Sequence, residues 1–121
     1  MAEEKNFENK IKKFLDEEGA WFVKTWSNGV QRSGIPDILA CVNGYFVGIE
    51  VKASNGKPSE LQIYNLRKIR ESNGFPLLLY PDDFEAFQKF VWDLKNDYLG
   101  SAESRNMGIN EKNYPDFYLN L

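Results

Sequence analysis

Apolar positions along the chain follow two different periods. Residues 5–18 place apolar side chains every three or four positions and end at Gly19, which predicts an amphipathic helix. The same period over residues 59–72, and again after Pro81, predicts a second and a third helix. Shorter runs rich in β-branched and aromatic residues predict four strands, at residues 20–26, 37–42, 45–53 and 76–80.

The dipeptide Asn43-Gly44 is a strong short signal for a β-hairpin. If these two residues form the loop, Val42 pairs with Tyr45, and every later pair of opposite residues follows from that register. The helix at 59–72 leads directly into the last strand, as in a right-handed crossover onto a mixed sheet. The expected fold class is therefore α/β (α+β), with a central mixed sheet flanked by helices. We expect one domain over residues 1–97. We expect residues 98–121 to form a C-terminal extension that packs on this domain or serves as a dimer arm.

Composition limits the chemistry available to this chain. The 121 residues contain one cysteine, Cys41, and no histidine, which excludes internal disulfides, His–Cys zinc sites and catalytic triads that use histidine. Carboxylates and lysine remain, and carboxylate oxygens suit hard cations such as Mg²⁺ and Mn²⁺. No apolar run of about 18 residues and no signal-peptide core occurs, so we expect no membrane association and a cytoplasmic, reducing location.

The net charge of −3 is unevenly distributed. Residues 10–70 contain ten basic and six acidic side chains, a net of +4, whereas residues 71–121 contain four and nine, a net of −5. The basic excess therefore coincides with the segment that carries the chemical motifs. It indicates either a surface for an anionic partner or simply a solvated surface.

Two acidic residues and a lysine form the most informative pattern. In the predicted hairpin register Asp37 faces Glu50 across the two strands, with Cβ atoms roughly 4.5–5.5 Å apart. Lys52 lies two residues beyond Glu50 and therefore on the same face of the sheet. Like charges opposite each other repel, and a divalent cation between them would remove the conflict, with the Val51 carbonyl as a further ligand. Such a site suits metal-assisted phosphodiester hydrolysis, in which Lys52 orients water or stabilises the charged transition state. The alternative is that Asp37 is a turn residue after proline and that Glu50 and Lys52 are solvated on an exposed face of the sheet.

The segments G-I-P-D, ending at Asp37, and E-V-K, from Glu50 to Lys52, resemble the signature of the PD-(D/E)XK nucleases. The longer context, G-I-P-D-I-L-A followed by G-Y-F-V-G-I-E-V-K-A and G-K-P-S, resembles the VRR-NUC family, including its stand-alone phage and bacterial members. It is also similar to the archaeal-type Holliday junction resolvases. The resemblance covers about residues 5–80 and implies a restriction-endonuclease-like core. No Val-Arg-Arg triplet follows the motif, which departs from the VRR-NUC pattern.

The resemblance implies further site residues. Glu8 takes the place of the family's helical glutamate, which binds metal or water. The alternative is that Glu8 is a solvated helix residue that pairs with Lys12. Gln62 corresponds to a glutamine that supports the active site, and it also forms a capping box with Ser59. Expected DNA contacts lie in the loop before Asp37, after the lysine motif and on the second helix: Arg32, Ser33, Lys57, Arg67 and Lys68. Trp21, Phe22 and Trp26 suit core packing, with base stacking as the lesser alternative.

These observations favour a Mg²⁺-dependent endodeoxyribonuclease in which Mn²⁺ substitutes and no organic cofactor takes part. The resemblance implies branched DNA, such as a Holliday junction, as substrate. It also implies a homodimer, since resolution needs two active sites, with an interface on the first helix or in the C-terminal part. One alternative is a sequence-preferring or nicking restriction-like endonuclease, which the short chain disfavours. Another is a non-catalytic DNA-binding factor on the same fold, which the intact acidic pair and lysine disfavour.

Overall fold

The structure is a computed structural model that describes residues 2–26 and 34–96. It contains three α-helices and four strands within these ranges, and a 3₁₀ turn at Pro81–Asp83 precedes the last helix. In chain order the elements are α1 Ala2–Glu17, β1 Trp21–Lys24, β2 Ile38–Val42, β3 Tyr45–Val51, α2 Glu60–Glu71, β4 Phe75–Leu79 and α3 Phe84–Lys95. The strand order is β1-β2-β3-β4, antiparallel for the first two pairings and parallel for β3 with β4. The predicted mixed sheet with flanking helices is confirmed.

The β2–β3 hairpin has the predicted register. Val42 pairs with Tyr45 and Ile38 with Ile49. Asn43 and Gly44 both have positive φ, 51° and 85°, which a two-residue hairpin turn of the primed type requires and which this dipeptide tolerates at low cost. The Asn43 side-chain amide also donates to the Leu94 carbonyl at 2.9 Å, so the hairpin is held against the end of α3.

One face of the sheet, the inner face, carries the main core. Alternate residues of β2, β3 and β4 point to this face and pack with the apolar sides of α1 and α3. Phe14 of α1 meets both Phe84 and Phe87 edge to face, with ring centroids 5.9 and 5.8 Å apart. The inner face therefore fixes where β2 and β3 lie, and with them the residues at the ends of these strands.

The opposite, outer face is covered over only half of its width. Helix α2 packs on it over β3 and β4, and it lies so close that a Cβ at Gly48 would come within 2.6 Å of Ile69 Cδ1. Beside α2, the outer sides of β1 and β2 are exposed. We call the apolar residues there, with their neighbour on β3, the open face: Trp21, Val23, Leu39, Cys41 and Phe46.

The structure corrects several details. The core-packing prediction is wrong for Trp21 and Trp26, which are 66% and 65% exposed, whereas Phe22 does pack against the core. Strand β1 ends at Lys24 and not at Trp26, although a hydrogen bond from Thr25 N–H to the Asp37 carbonyl extends the pairing by one residue. Helix α1 begins three residues earlier than predicted. In the described ranges no helix is both long and apolar enough to cross a membrane. The predicted C-terminal extension, 98–121, lies outside the described residues.

Candidate active site

Asp37 and Glu50 lie opposite each other at one end of the hairpin. Asp37 directly precedes Ile38, whose partner is Ile49, so the next residue of β3 in the register is Glu50. Two contacts from Thr25 hold the backbone here: its hydroxyl donates to the Pro36 carbonyl at 2.7 Å and its N–H donates to the Asp37 carbonyl at 2.8 Å. The Asp37 carboxylate accepts a hydrogen bond from Val51 N–H at 2.8 Å. Asp37 is therefore positioned by strands on both of its sides.

The Glu50 carboxylate is almost completely buried. Its Oε2 accepts from Gln62 Nε2 at 3.0 Å and lies 3.3 Å from Lys52 Nζ. Its Oε1 is buried and has no hydrogen-bond partner. Burial first, and then the negative charge of Asp37, raise the pKa of Glu50 from 4.5 to about 8, against the opposing effect of Lys52. A carboxylate with one unsatisfied buried oxygen beside a second carboxylate is an unfavourable arrangement for a protein without a bound cation.

Gln62 forms the predicted capping box with Ser59 and also contacts Glu50. Its backbone N–H donates to Ser59 Oγ at 3.1 Å, and its side-chain oxygen accepts from Ser59 N–H at 2.8 Å, which completes a capping box at the start of α2. Because the amide oxygen is used in the cap, the amide nitrogen points towards Glu50. The first turn of α2 thus delivers a hydrogen-bond donor to the buried carboxylate.

Glu8 is buried on α1, with 6% of its surface exposed, so the alternative of a solvated helix residue is wrong, although the pairing with Lys12 exists at 3.4 Å. Its closest partner is Lys24 of β1, at 2.9 Å. Burial alone would raise the pKa of Glu8, but hydrogen bonds and charge from Lys24 and Lys5 outweigh it and lower the pKa. Glu8 is therefore held as a charged group in the interior.

Lys24 is a site residue that the sequence reasoning missed. Its Nζ bridges Glu8 and Asp37, 3.5 Å from Asp37 Oδ1. Burial opposes its charge, but hydrogen bonding to Glu8 and the charge of Asp37 raise the pKa of Lys24. The signal available in the sequence was a lysine within the otherwise uncharged strand W-F-V-K.

A divalent cation fits beside Asp37 and Glu50. The unsatisfied Glu50 Oε1 and the repulsion between the two carboxylates are both relieved by a positive charge placed there. Within residues 2–26 and 34–96, no group of three or more acidic, cysteine or histidine side chains converges to hold a metal, so any remaining ligands come from backbone, water or substrate. Glu8 is linked to Asp37 through Lys24. Val51 lies beside Asp37 through its N–H.

The predicted DNA contacts are only partly visible. Arg32 and Ser33 lie outside the described residues. Lys57, in the loop before α2, is exposed, as are Arg67 and Lys68 on α2, where Lys68 pairs with Glu71 at 3.3 Å. Lys57 stands near the active site along the chain, between Lys52 and Gln62. Arg67 and Lys68 lie further along α2, so the structure does not gather the three into one cluster with the acidic pair.

Comparison with known proteins gives one match. The sequence model of the archaeal Holliday junction resolvase family matches residues 2–78, which is more than half of the chain. This range contains α1, the whole sheet except the last residue of β4, and α2, and therefore every residue of the candidate active site. Searches of curated proteins and of solved structures found no match.

Proposed function

Because this chain belongs to the archaeal Holliday junction resolvase family, and is therefore a structure-selective endonuclease that depends on a divalent metal, we propose that Asp37, Glu50 and Lys52 form its catalytic centre and that Mg²⁺ is its metal. Mn²⁺ is expected to substitute, since it has the same preference for oxygen ligands. Glu8 and Gln62 complete the site, and no organic cofactor is required.

The observation that carries this proposal is the unsatisfied Glu50 Oε1 opposite Asp37. Buried polar atoms in folded proteins nearly always have a partner, and an exception calls for an explanation such as an ion. A metal bound by Asp37, Glu50 and the Val51 carbonyl would polarise a phosphate and lower the pKa of an attacking water. These ligands are all oxygen atoms, which are the ligands that a hard cation such as Mg²⁺ prefers.

The protein's own residues act by position and charge. Lys52, whose side chain is 15% exposed, holds its ammonium group 3.3 Å from Glu50 and can donate to a water or to a phosphate oxygen as negative charge develops. Gln62 fixes the rotamer of Glu50 through its amide. Lys24 holds Asp37 and Glu8 in place and lowers the pKa of Glu8. Lys57, Arg67, Lys68, Arg32 and Ser33 are proposed to contact the DNA backbone.

The resolution of a four-way junction requires a cut in each of two strands. We therefore propose that the active form is a homodimer with two such centres. The narrower placement among VRR-NUC proteins rests on the segments around Asp37 and Glu50, G-I-P-D-I-L-A and G-I-E-V-K-A. It remains part of this proposal.

The test is cleavage of a labelled four-way DNA junction in Mg²⁺, compared with flap and linear duplex DNA of the same sequences. We expect wild type to cut the junction in two symmetric strands and Lys52→Ala to bind it without cutting. Lys89→Ala, at an exposed lysine of α3, is the matched control and should cut normally. Equal cutting of linear duplex would refute the junction preference, and full activity of Lys52→Ala would refute the proposed centre.

A further inference from the structure

Glu8 is surrounded by ammonium groups of the protein. Its Oε1 lies 2.9 Å from Lys24 Nζ, and its Oε2 lies 3.2 Å from Lys5 Nζ and 3.4 Å from Lys12 Nζ. The Glu8 side chain is only 7% exposed. Both of its carboxylate oxygens are therefore already in contact with a cation, and three positive charges surround one buried negative charge.

Lys24 owes its place in this cluster to the strand register. It is the last residue of β1 and pairs with Ile38, the direct neighbour of Asp37. Its side chain is 22% exposed, and its Nζ lies 3.5 Å from Asp37 Oδ1. The Lys24 ammonium group therefore stands between the carboxylates of Glu8 and Asp37, which lie far apart in the chain, and the sheet holds it there.

The carboxylates at this end of the sheet differ in what they can offer to a metal ion. In a two-metal nuclease site, carboxylates hold two divalent ions about 3.5–4 Å apart. The pair Asp37 and Glu50 has a buried oxygen without a partner, Glu50 Oε1. Glu8 has no such oxygen, and in the part of the chain that the structure describes it does not join the pair in a group able to hold a metal. One place is thus open to an ion, and Lys24 fills the other.

The balance of charge leads to the same conclusion. Four ammonium groups, the three around Glu8 and that of Lys52, accompany three carboxylates. One divalent ion beside Asp37 and Glu50 relieves the repulsion between these two carboxylates. A second ion at Glu8 would have to displace Lys24 and would then lie close to three ammonium groups, which repel it.

We propose that each active site of this protein holds one divalent ion, at Asp37 and Glu50, and that the Lys24 ammonium group takes the place of a second ion. Lys24 is then a positioning residue, which acts on the reaction through Asp37. The inference rests on the proposed function, which places the metal at the acidic pair. It goes further, because it fixes the number of ions and removes Glu8 from the metal ligands.

The number of Mn²⁺ ions bound per chain tests this proposal on the full-length protein without DNA, since the EPR signal of Mn²⁺ reports the free ion. We expect one ion for wild type and one for Glu8→Gln, because Glu8 is not a ligand. Glu50→Gln should bind none. Lys24→Met should bind two, because its loss frees Glu8 Oε1 and Asp37 Oδ1, whereas Lys24→Arg keeps the positive charge and should bind one.

Lys13→Met, at an exposed lysine of α1, is the matched control and should bind one ion. Two ions in wild type, with one lost in Glu8→Gln, would overturn the inference and leave the centre at Asp37 and Glu50 intact. A single ion in folded Lys24→Met would also overturn it. No ion in wild type would instead refute the proposed centre, and this inference with it.

Thermal unfolding in chelator shows whether Lys24→Met folds. If it does not, the counts for wild type, Glu8→Gln and Lys24→Arg decide the question, since a second ion held by Glu8 would appear in wild type and disappear in Glu8→Gln.

Discussion

Replacement of Glu50 by glutamine should change how the stability of the metal-free protein depends on pH. The glutamate releases its proton near pH 4.5 in the unfolded chain and near pH 8 in the folded chain. Between these values the folded state holds more protons than the unfolded state, so the free energy of unfolding falls as pH rises. At about 1.4 kcal/mol per pH unit, wild type loses about 3 to 4 kcal/mol between pH 5 and pH 8 from this one group. Glu50→Gln lacks the titrating group and avoids that loss.

The assay is urea denaturation at pH 5 and pH 8 in the presence of a chelator. At each pH we compare the free energy of unfolding of wild type with that of the variant, and we ask how this difference changes between pH 5 and pH 8. The comparison across pH is needed because the new amide introduces its own unsatisfied N–H, which shifts stability at both pH values. Glu17→Gln, at an exposed carboxylate of α1, is the control and should follow wild type. Mg²⁺ in place of the chelator should reduce the pH dependence of wild type and leave Glu50→Gln unchanged. Parallel pH profiles of wild type and Glu50→Gln in chelator would refute the argument that Glu50 is buried beside a like charge.

Three further substitutions probe the surroundings of Glu50. Gln62→Ala should lower the rate of junction cleavage while the affinity for the junction stays unchanged. It should also cost about 1 kcal/mol of stability in urea denaturation, because the helix cap is lost. A loss of stability with a normal cleavage rate would show that Gln62 acts only in the cap. Lys24→Met should reduce cleavage more than Lys89→Ala does, and it should make stability fall more steeply as pH rises above 4.5, because the buried Glu8 loses the cation that lowers its pKa. A wild-type cleavage rate would exclude Lys24 from the site. Gly48→Ala should cost about 1 kcal/mol or less, because its methyl group would meet only the terminal Cδ1 of Ile69, which can turn into the adjoining groove beside α2, and a much larger loss of stability would show that Ile69 cannot move.

The hairpin made the acidic pair predictable from sequence. A two-residue Asn-Gly loop has few alternatives, so one local signal fixed the register over the whole of β2 and β3, including Asp37 opposite Glu50. The helices were predictable for a similar reason, since an apolar stripe of period 3.6 leaves little choice of buried side. The site residues found in this way are those whose neighbours are set by local geometry.

The position of Lys24 in the site and the exposure of the open face could not be predicted from local sequence signals. The pairing of β1 with β2 is made across a long connection, so no local signal indicates that Lys24 lies between Glu8 and Asp37. Aromatic residues in a strand were assigned to the core because aromatic side chains are usually buried there, but which half of the outer face α2 covers depends on the crossover to β4. Trp21 is exposed because the helix lies over β3 and β4, a result of tertiary packing and not of the pattern within β1.

The capping box of α2 has a consequence for local unfolding. One side chain, Gln62, closes the first turn of the helix with its oxygen and holds Glu50 with its nitrogen. Fraying of that turn and release of the buried carboxylate are therefore a single event with one opening equilibrium. Amide hydrogen exchange in the first turn of α2 should then report how often the Glu50 carboxylate is released, and a ligand that holds Glu50 in place should slow exchange at the end of a helix that it does not touch.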